Sequence, residues 1–223
     1  MTAGGAASAM SGTAAVARRP GGRSARIRAQ VLGAVRELLV EQGFDALSVD
    51  AVAERAAVHR TTVYRRWRDV GGLLADVLDA AGDDGWQPPD TGTLEGDLAA
   101  LNGEVEAGLT GEAVTAALIA ASFRSTQAAE ALRRFWDERY ERCAVVVERA
   151  LARGEVPGGT CARRVVVAAT APVYQQILLL RGGADPTLVR QAAAGVALAA
   201  SRGLFVVDEG PGWGEGSGQV VHR

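Results

Sequence analysis

Residue types that carry catalytic chemistry are scarce in this 223-residue chain. Only two histidines occur, His59 and His222, and no Ser–His–Asp, Cys–His or metal-ligand spacing is visible. Lysine is absent, and because alanine, glycine and valine are abundant, we attribute arginine at all 24 basic positions to the codon bias of a GC-rich genome. The sequence therefore predicts no catalytic residues, no metal site and no cofactor. A small helical enzyme is the alternative from a different class.

Cysteines and long apolar segments are also sparse. The two cysteines, Cys143 and Cys161, lack the spacing of a metal site or a disulfide framework, which favours a reduced protein. No apolar run approaches the roughly 18–20 residues of a membrane span, and the first residues lack the leucine-rich core of a secretory signal. We therefore expect a cytoplasmic protein with no membrane partner.

Charge of both signs is present but unevenly distributed. From Arg18 to Arg68 there are eleven arginines and five acidic residues, whereas from Asp69 to Arg223 there are thirteen and twenty-one. The first segment thus has a net charge of +6 and the second −8, which together give the −2 of the chain. This division indicates that the first segment meets phosphate and the second does not. Chance clustering on a solvated surface is the alternative.

Apolar residues recur at helical spacing along most of the chain, and no alternating pattern indicates a strand. We predict an all-α fold with an N-terminal helix-turn-helix domain of three helices and a C-terminal helical bundle. The predicted boundaries are a disordered arm at 1–22, the N-terminal domain at 23–82, a linker at 83–93, the C-terminal domain at 94–204 and a flexible tail at 205–223. The arginines of the arm either reach DNA or are solvated.

Caps and breakers mark the ends of several helices. Gly43 is predicted to end the first helix, and Ser48 to cap the second. Pro172 lies inside a helical pattern over 162–181 and implies a kink. Asp185 followed by Pro186 is typical of an N-cap and the first helical turn.

Two short helical patterns flank the three residues "AVH", and the second pattern reads "RTTVYRRW". Val63 and Trp67 lie four residues apart on one face, so we expect them in the core. Arginine, threonine and tyrosine then occupy the other face. This arrangement suits a helix-turn-helix whose second helix enters the major groove of DNA.

The stretch from about Arg26 to Leu74 resembles the DNA-binding domain of TetR-type transcriptional repressors. The resemblance is carried by "EQGFDALSVDAVAERA", by "AVHRTTVYRRW" and by the leucines that open the following helix. "PDTGTLEGDLAAL", and Pro172 followed by Tyr174, extend it over most of the chain. It implies an all-helical homodimer that binds a double-stranded DNA operator and releases it when a small molecule binds the C-terminal domain.

The resemblance also implies which residues contact DNA. Ser48 and Tyr64 match phosphate-contacting positions, and residues 60–62 open the recognition helix, where side chains reach base edges. The chemistry agrees, because arginine reads guanine in two hydrogen bonds and a threonine methyl meets the thymine methyl. Simple solvation is the alternative for Arg65 and Arg66. The predicted DNA-contacting residues are Arg28, Ser48, Val49, His59, Arg60, Thr61, Thr62, Tyr64, Arg65 and Arg66.

The sequence departs from the family pattern in three ways. His59 replaces the usual serine or threonine cap of the recognition helix, so we expect that helix to fray more without DNA. Val70 replaces a lysine that often binds phosphate, and Arg66 or Arg68 is a possible substitute. Gly71 and Gly72 are each expected to weaken the start of the fourth helix by about 1 kcal/mol relative to alanine.

The acidic remainder offers a dimer face and a ligand pocket. Small residues of the last helix, paired with the preceding helix, predict a four-helix dimer interface, with packing inside one chain as the alternative. The residues of this predicted face are Ala192, Ala193, Gly195, Val196, Ala199 and Ala200, with Val166, Ala169, Val173 and Ile177. The candidate pocket residues, for which plain core packing is the alternative, are Leu101, Val105, Phe123, Trp136, Tyr140, Tyr174 and Gln175, with Gln176 as an alternative polar group.

Few charged residues lie on these inward faces, so we expect an apolar or neutral effector. Together these patterns predict a ligand-responsive repressor that binds a palindromic operator as a homodimer. A regulator that activates transcription, or that binds DNA without any effector, is the alternative.

Overall fold

A computed structural model describes residues 22–82, 85–111 and 113–207. Within these ranges the chain is all-α, as predicted, with no strand beyond an isolated bridge between Thr160 and Val206. None of the helices there is both long and apolar enough to cross a membrane. The helices are α1 Arg23–Gln42, α2 Val49–Arg55, α3 Arg60–Trp67, α4 Val70–Gly82, α5 Leu94–Gly111, α6 Ala113–Ser122, α7 Thr126–Ala152, α8 Ala162–Tyr174 and α9 Pro186–Ser201.

The predicted caps form as expected. The backbone N–H of Ala51 donates to Ser48 Oγ at 3.1 Å, and Gly43 ends α1 with a φ of 76° that suits glycine. Asp185 Oδ1 accepts from the N–H groups of Thr187 and Leu188, each at 3.0 Å, with Pro186 in the first turn. These local bonds set where α1 ends and where α2 and α9 begin.

The N-terminal core is formed by the four helices α1, α2, α3 and α4, and it continues into α6 and the start of α7. Val31, Val35, Val52, Val63 and Leu74 have no exposed side-chain surface. Leu118 and Ala121 of α6, and Ala128 and Ala131 of α7, belong to the same buried cluster. The N-terminal half therefore packs directly onto two helices of the other half, rather than being connected to it only through the segment at 83–93.

The second core lies between α5, α7, α8 and α9. It corrects the predicted dimer face, because Val166, Ala169, Val173, Ala193 and Ala200 are all at most 2% exposed within one chain. Their small side chains let α8 and α9 approach each other and α5, which is the intrachain packing left open as the alternative. The residues of α8 and α9 that stay exposed include Val167, Ala171, Gly195 and Leu198.

Pro172 is followed by a change of helix type. The α-helix ends at Tyr174, and a π-helical turn covers Gln175–Leu179. Proline has no N–H to donate to the preceding turn, which accounts for irregular geometry close to it. The irregularity predicted within 162–181 therefore takes the form of a π turn.

Two predicted flexible segments are partly held by hydrogen bonds. In the linker, Arg149 donates to Pro89 O at 2.9 Å and the N–H of Thr91 donates to Asp97 Oδ1 at 2.6 Å. At the expected start of the tail, the N–H of Cys161 donates to Phe205 O at 2.9 Å, and Phe205 packs on the second core. Val207 N–H also donates to Gly159 O at 3.1 Å, so residues 205–207 contact the loop before α8. The predicted arm at 1–21 and the rest of the tail at 208–223 lie outside the described residues.

Candidate functional site

The helix α3 separates a core face from a solvent face. Val63 and Trp67 are 0% and 5% exposed, as the four-residue spacing predicted. Tyr64 is 45% exposed, Thr62 is half-buried, and the other polar side chains of α3 are exposed. The exposed set is Arg60, Thr61, Tyr64, Arg65 and Arg66. This face presents three guanidiniums, two hydroxyls and no carboxylate, which suits contact with phosphates and base edges.

The turn before α3 is tight and has two unusual features. Val58 N–H donates to Ala53 O at 3.0 Å, and Ala57 adopts a φ of +50°, in the region that favours glycine. His59 occupies the N-cap position without a side-chain bond to the helix backbone. Its Nδ1 instead lies 2.9 Å from Thr61 Oγ1. The helix therefore begins without the side-chain cap that serine or threonine would supply.

Two of the predicted DNA-contacting residues, Arg28 and Val49, have structural roles inside the domain. Arg28 forms a bidentate ion pair with Asp76 of α4, with N–O distances of 2.6–3.1 Å. The side chain of Val49 is 6% exposed and belongs to the N-terminal core. The Val49 side chain is therefore unavailable to DNA, which leaves only its backbone N–H beside the exposed Ser48. Arg28 ties α1 to α4, a structural role that sequence reasoning missed.

Asp76 accepts two different donors. Trp67 Nε1–H donates to Asp76 Oδ2 at 2.7 Å, while Arg28 holds the other side of the carboxylate. Burial opposes ionisation of Asp76, but the hydrogen bonds from Arg28 and Trp67 outweigh it and lower its pKa below the ordinary value. Helices α1, α3 and α4 therefore meet at one ionised carboxylate.

A basic cleft lies between the start of α1 and α3. It has a volume of about 730 Å³ and is lined by Arg23, Ser24, Ile27, Thr62, Arg65 and Arg66. Arg66 donates to Ser24 Oγ at 3.2 Å, and its guanidinium lies 5.1 Å from the centre of the Trp67 ring. Ser24 was not among the predicted site residues, because a single serine among the arginines of the first turns of α1 carries no distinctive signal.

The glycine pair at the start of α4 has a tertiary explanation. A Cβ at residue 72 would lie 2.3 Å from Trp67 O, and one at residue 71 would lie 2.7 Å from Gln127 Oε1. The helix start is also capped, because the N–H of Gly72 donates to Asp69 Oδ1 at 2.8 Å. The start of α4 is therefore in close contact with the end of α3 and the beginning of α7, rather than loose as expected.

The helix α4 packs against α7 along the whole length of α4. Arg134 of α7 pairs with Asp79 at 3.1 Å, and Arg142 donates to Gly82 O. At the other end, Gln127 donates to Asp69 at 3.4 Å. A displacement of α7 would therefore act directly on α4, and through Asp76 on the recognition helix.

Three of the predicted pocket residues lie together. Phe123, Trp136 and Tyr140 line one cleft of about 420 Å³, and the rings of Trp136 and Tyr140 stack with centres 5.9 Å apart. Tyr174 supports Trp136 edge-on at 5.3 Å. Burial raises the pKa of both tyrosines, so both phenols stay neutral near pH 7.

The other predicted pocket residues lie elsewhere. Leu101 is buried in the second core at 5% exposure, and Val105 is a half-buried residue of α5. Gln175 is exposed in the π turn, whereas its neighbour Gln176 is half-buried. These residues do not line the cleft of Phe123 and Trp136.

Comparison with known proteins identifies two matched segments. Residues 31–77 match the family described as bacterial regulatory proteins, tetR family, and residues 88–196 match the tetracyclin repressor-like C-terminal domain. The regulator AqdR of Rhodococcus erythropolis is 31% identical over 175 residues, covering 77% of this chain and 84% of AqdR. The TetR-family regulator SCO0332 is 26% identical with a TM-score of 0.59, covering 77% of this chain and 97% of SCO0332.

Two further matches support the fold and a shorter segment of the chain. A TetR-family regulator structure from Mesorhizobium loti has a TM-score of 0.60 at 17% identity, covering 83% of this chain and 99% of its own, and supports the fold alone. A transcriptional repressor TetR of Mycobacteroides abscessus is 38% identical over 77 residues, which is 34% of this chain and 40% of that protein.

Proposed function

Because the chain belongs to the TetR family of transcriptional regulators, we propose that it represses transcription by binding a palindromic operator as a homodimer and releases it on binding a small molecule. The observation that carries this proposal is the exposed face of α3, which presents arginine, threonine and tyrosine side chains and no carboxylate. Family membership makes the chain a DNA-binding regulator rather than an enzyme. The operator, the dimer and the effector are proposals.

Base reading is assigned to the start of α3. Arg60 and Thr61 are exposed in its first turn, and the N-terminal residues of a recognition helix are those that reach base edges. Tyr64 and Arg65, one turn later, hold phosphate oxygens. The basic cleft beside Arg23 and Arg66 takes a backbone phosphate at the edge of the groove.

The homodimer is proposed to use the exposed sides of α8 and α9. Leu198 is 61% exposed and Val167 is 37% exposed, and the π turn adds Leu179 at 75%. Apolar side chains left in water at adjacent helices favour association with an identical surface. Two recognition helices related by a two-fold axis would then read two half-sites of a palindrome.

Repression is the direction we favour, because the Mycobacteroides abscessus relative named as a repressor matches over 77 residues. Release of DNA is proposed to pass through α4, which contacts α7 on one side and Trp67 on the other. An effector that binds one arrangement of α7 better than another shifts the population of DNA-binding geometries.

The first experiment measures binding to the DNA flanking the protein's own gene and to random DNA across a salt series. We expect preference for a flanking site and a steep loss of affinity with salt, since several phosphates are neutralised. A protein that binds neither DNA at low salt would contradict the assignment of α3. A reporter gene behind the bound site then tells repression from activation.

Light scattering tests the dimer separately. Leu198→Glu should convert dimers to monomers, whereas Val40→Glu, a similarly exposed apolar position on α1, should leave the mass unchanged. A wild-type protein that is monomeric at assay concentrations would contradict the proposed interface. The DNA titration does not depend on this result, so the two parts of the proposal fail independently.

A further inference from the structure

An aromatic wall borders the cleft between the α6–α7 turn and α7. Phe123 is 82% exposed, an unusual position for a phenylalanine with no partner on its outer side. The stacked rings of Trp136 and Tyr140 lie on the same cleft, at 25° to each other. A flat aromatic molecule would cover this wall and remove the exposed Phe123 ring from water.

The polar rim of this cleft has a net positive charge. Arg133 and Arg163 each donate to one oxygen of Asp137 at 2.8 Å, so two cations share one carboxylate. Both guanidiniums are more than half exposed, and each gives a single N–H to Asp137, which leaves further N–H donors on each guanidinium. Arg163 also lies 5.0 Å from the centre of the Tyr140 ring. An anion beside an aromatic surface satisfies both features.

We propose that this cleft, lined by Phe123, Trp136 and Tyr140 with Arg133, Asp137 and Arg163 at its rim, binds a small aromatic carboxylate. The ring stacks on the aromatic wall, and the carboxylate accepts hydrogen bonds from the free N–H groups of Arg163 and Arg133. The cleft volume of about 420 Å³ suits a molecule of one or two fused rings. This class differs from the apolar or neutral effector expected from the sequence, because Arg163 of α8 reaches the rim from a distant part of the chain.

Binding there has a direct path to the DNA-binding half. Arg133 and Trp136 lie on the cleft side of α7, and the intervening Arg134 pairs with Asp79 of α4. A ligand that draws Arg133 away from Asp137 therefore acts on the turn of α7 that holds α4. This regulatory consequence rests on the proposed function, whereas binding itself does not.

Calorimetric titration of the full-length protein with 2-naphthoate tests the site. We expect saturable binding of one 2-naphthoate per chain. The neutral isostere 2-naphthylmethanol should bind about 10- to 100-fold more weakly, because the charge-assisted hydrogen bonds are lost. Cyclohexanecarboxylate, which keeps the charge but lacks the flat ring, should also bind more weakly. Equal affinity for the acid and the alcohol, or no saturable binding of the acid, overturns the proposal.

Matched variants locate the site. Arg163→Gln should lower 2-naphthoate affinity about tenfold or more, whereas Arg164→Gln, the exposed neighbour in the same helical turn, should leave it unchanged. Phe123→Ser should weaken binding, whereas Leu204→Ser, which is 71% exposed elsewhere, should not. All four side chains are exposed, so thermal unfolding should be nearly unchanged. Equal losses for a variant and its control contradict the location.

Operator release is measured in the same samples. If Arg163→Gln weakens 2-naphthoate binding but 2-naphthoate leaves DNA affinity unchanged, the binding site is supported and operator release by this ligand is contradicted. If a neutral compound releases the operator equally from wild type and Arg163→Gln, the proposed regulator is supported, but this cleft is not the site that controls release.

Discussion

Trp67 of α3 donates its indole N–H to Asp76 of α4 at 2.7 Å, and Arg28 of α1 forms an ion pair with the same carboxylate. This bond fixes the last turn of α3 relative to the helix that packs against α7. Trp67 is 5% exposed, so the bond is largely shielded from water. The orientation of the DNA-reading face therefore depends on one ionised aspartate.

Asp76→Asn should destabilise the N-terminal domain by about 1–3 kcal/mol, because it weakens the charge-assisted bonds from Arg28 and Trp67. The folded pKa of Asp76 is lowered, so its stabilisation is full above the ordinary aspartate pKa and is lost as pH falls through the lowered value. Urea unfolding of wild type and variant from neutral to acid pH measures this. The difference should shrink with acid; a constant gap would contradict the ionised state of Asp76.

Gly72→Ala should destabilise the protein even though alanine is the better helix former. The new Cβ would lie 2.3 Å from the backbone oxygen of Trp67, which cannot move without shifting α3. Gly108→Ala in α5, where no atom lies within 4 Å of the new Cβ, should instead stabilise by up to about 1 kcal/mol. Chemical denaturation should thus give opposite signs, and two stabilising changes would contradict the close contact.

Ala57→Gly should stabilise the protein by about 1 kcal/mol, because Ala57 adopts a φ of +50° that is costly for a residue with a Cβ. Ala51→Gly, inside α2, is the control and should destabilise by a similar amount. Thermal unfolding compares the two. A destabilising effect at both positions would show that the left-handed turn stores little strain.

Tyr64→Phe should weaken binding to every DNA sequence alike, because the hydroxyl is assigned to a phosphate. Fluorescence anisotropy with specific and random duplexes measures this. A change of sequence preference would instead assign Tyr64 to a base.

Arg60→Ala should relax preference at one base position of the operator, with a cost of about 1–3 kcal/mol there. Arg202→Ala, an exposed arginine at the far end of α9, is the control and should leave preference unchanged. Titrations with single-base operator variants locate the position. Equal losses on specific and random DNA would assign Arg60 to the phosphate backbone.

The sequence by itself determined the helices and predicted which face of α3 is exposed and polar. The spacing of Val63 and Trp67 placed α3 against the core, and Ser48, Gly43 and Asp185 placed helix ends, because these signals act within one or two turns. The charge division predicted that the N-terminal half meets DNA. The resemblance over residues 26–74 supplied the family, which the matched segments confirm.

Only the tertiary structure decided which distant residues meet. Arg28 with Asp76, Gly72 with Trp67, and Arg163 with Asp137 are pairs brought together by packing of separate helices, and no local period encodes them. For the same reason five residues of the predicted dimer face, Val166, Ala169, Val173, Ala193 and Ala200, are buried within one chain instead. A stripe of alanine and glycine permits close approach of any helix, and only the fold decided that the approaching helices belong to the same chain.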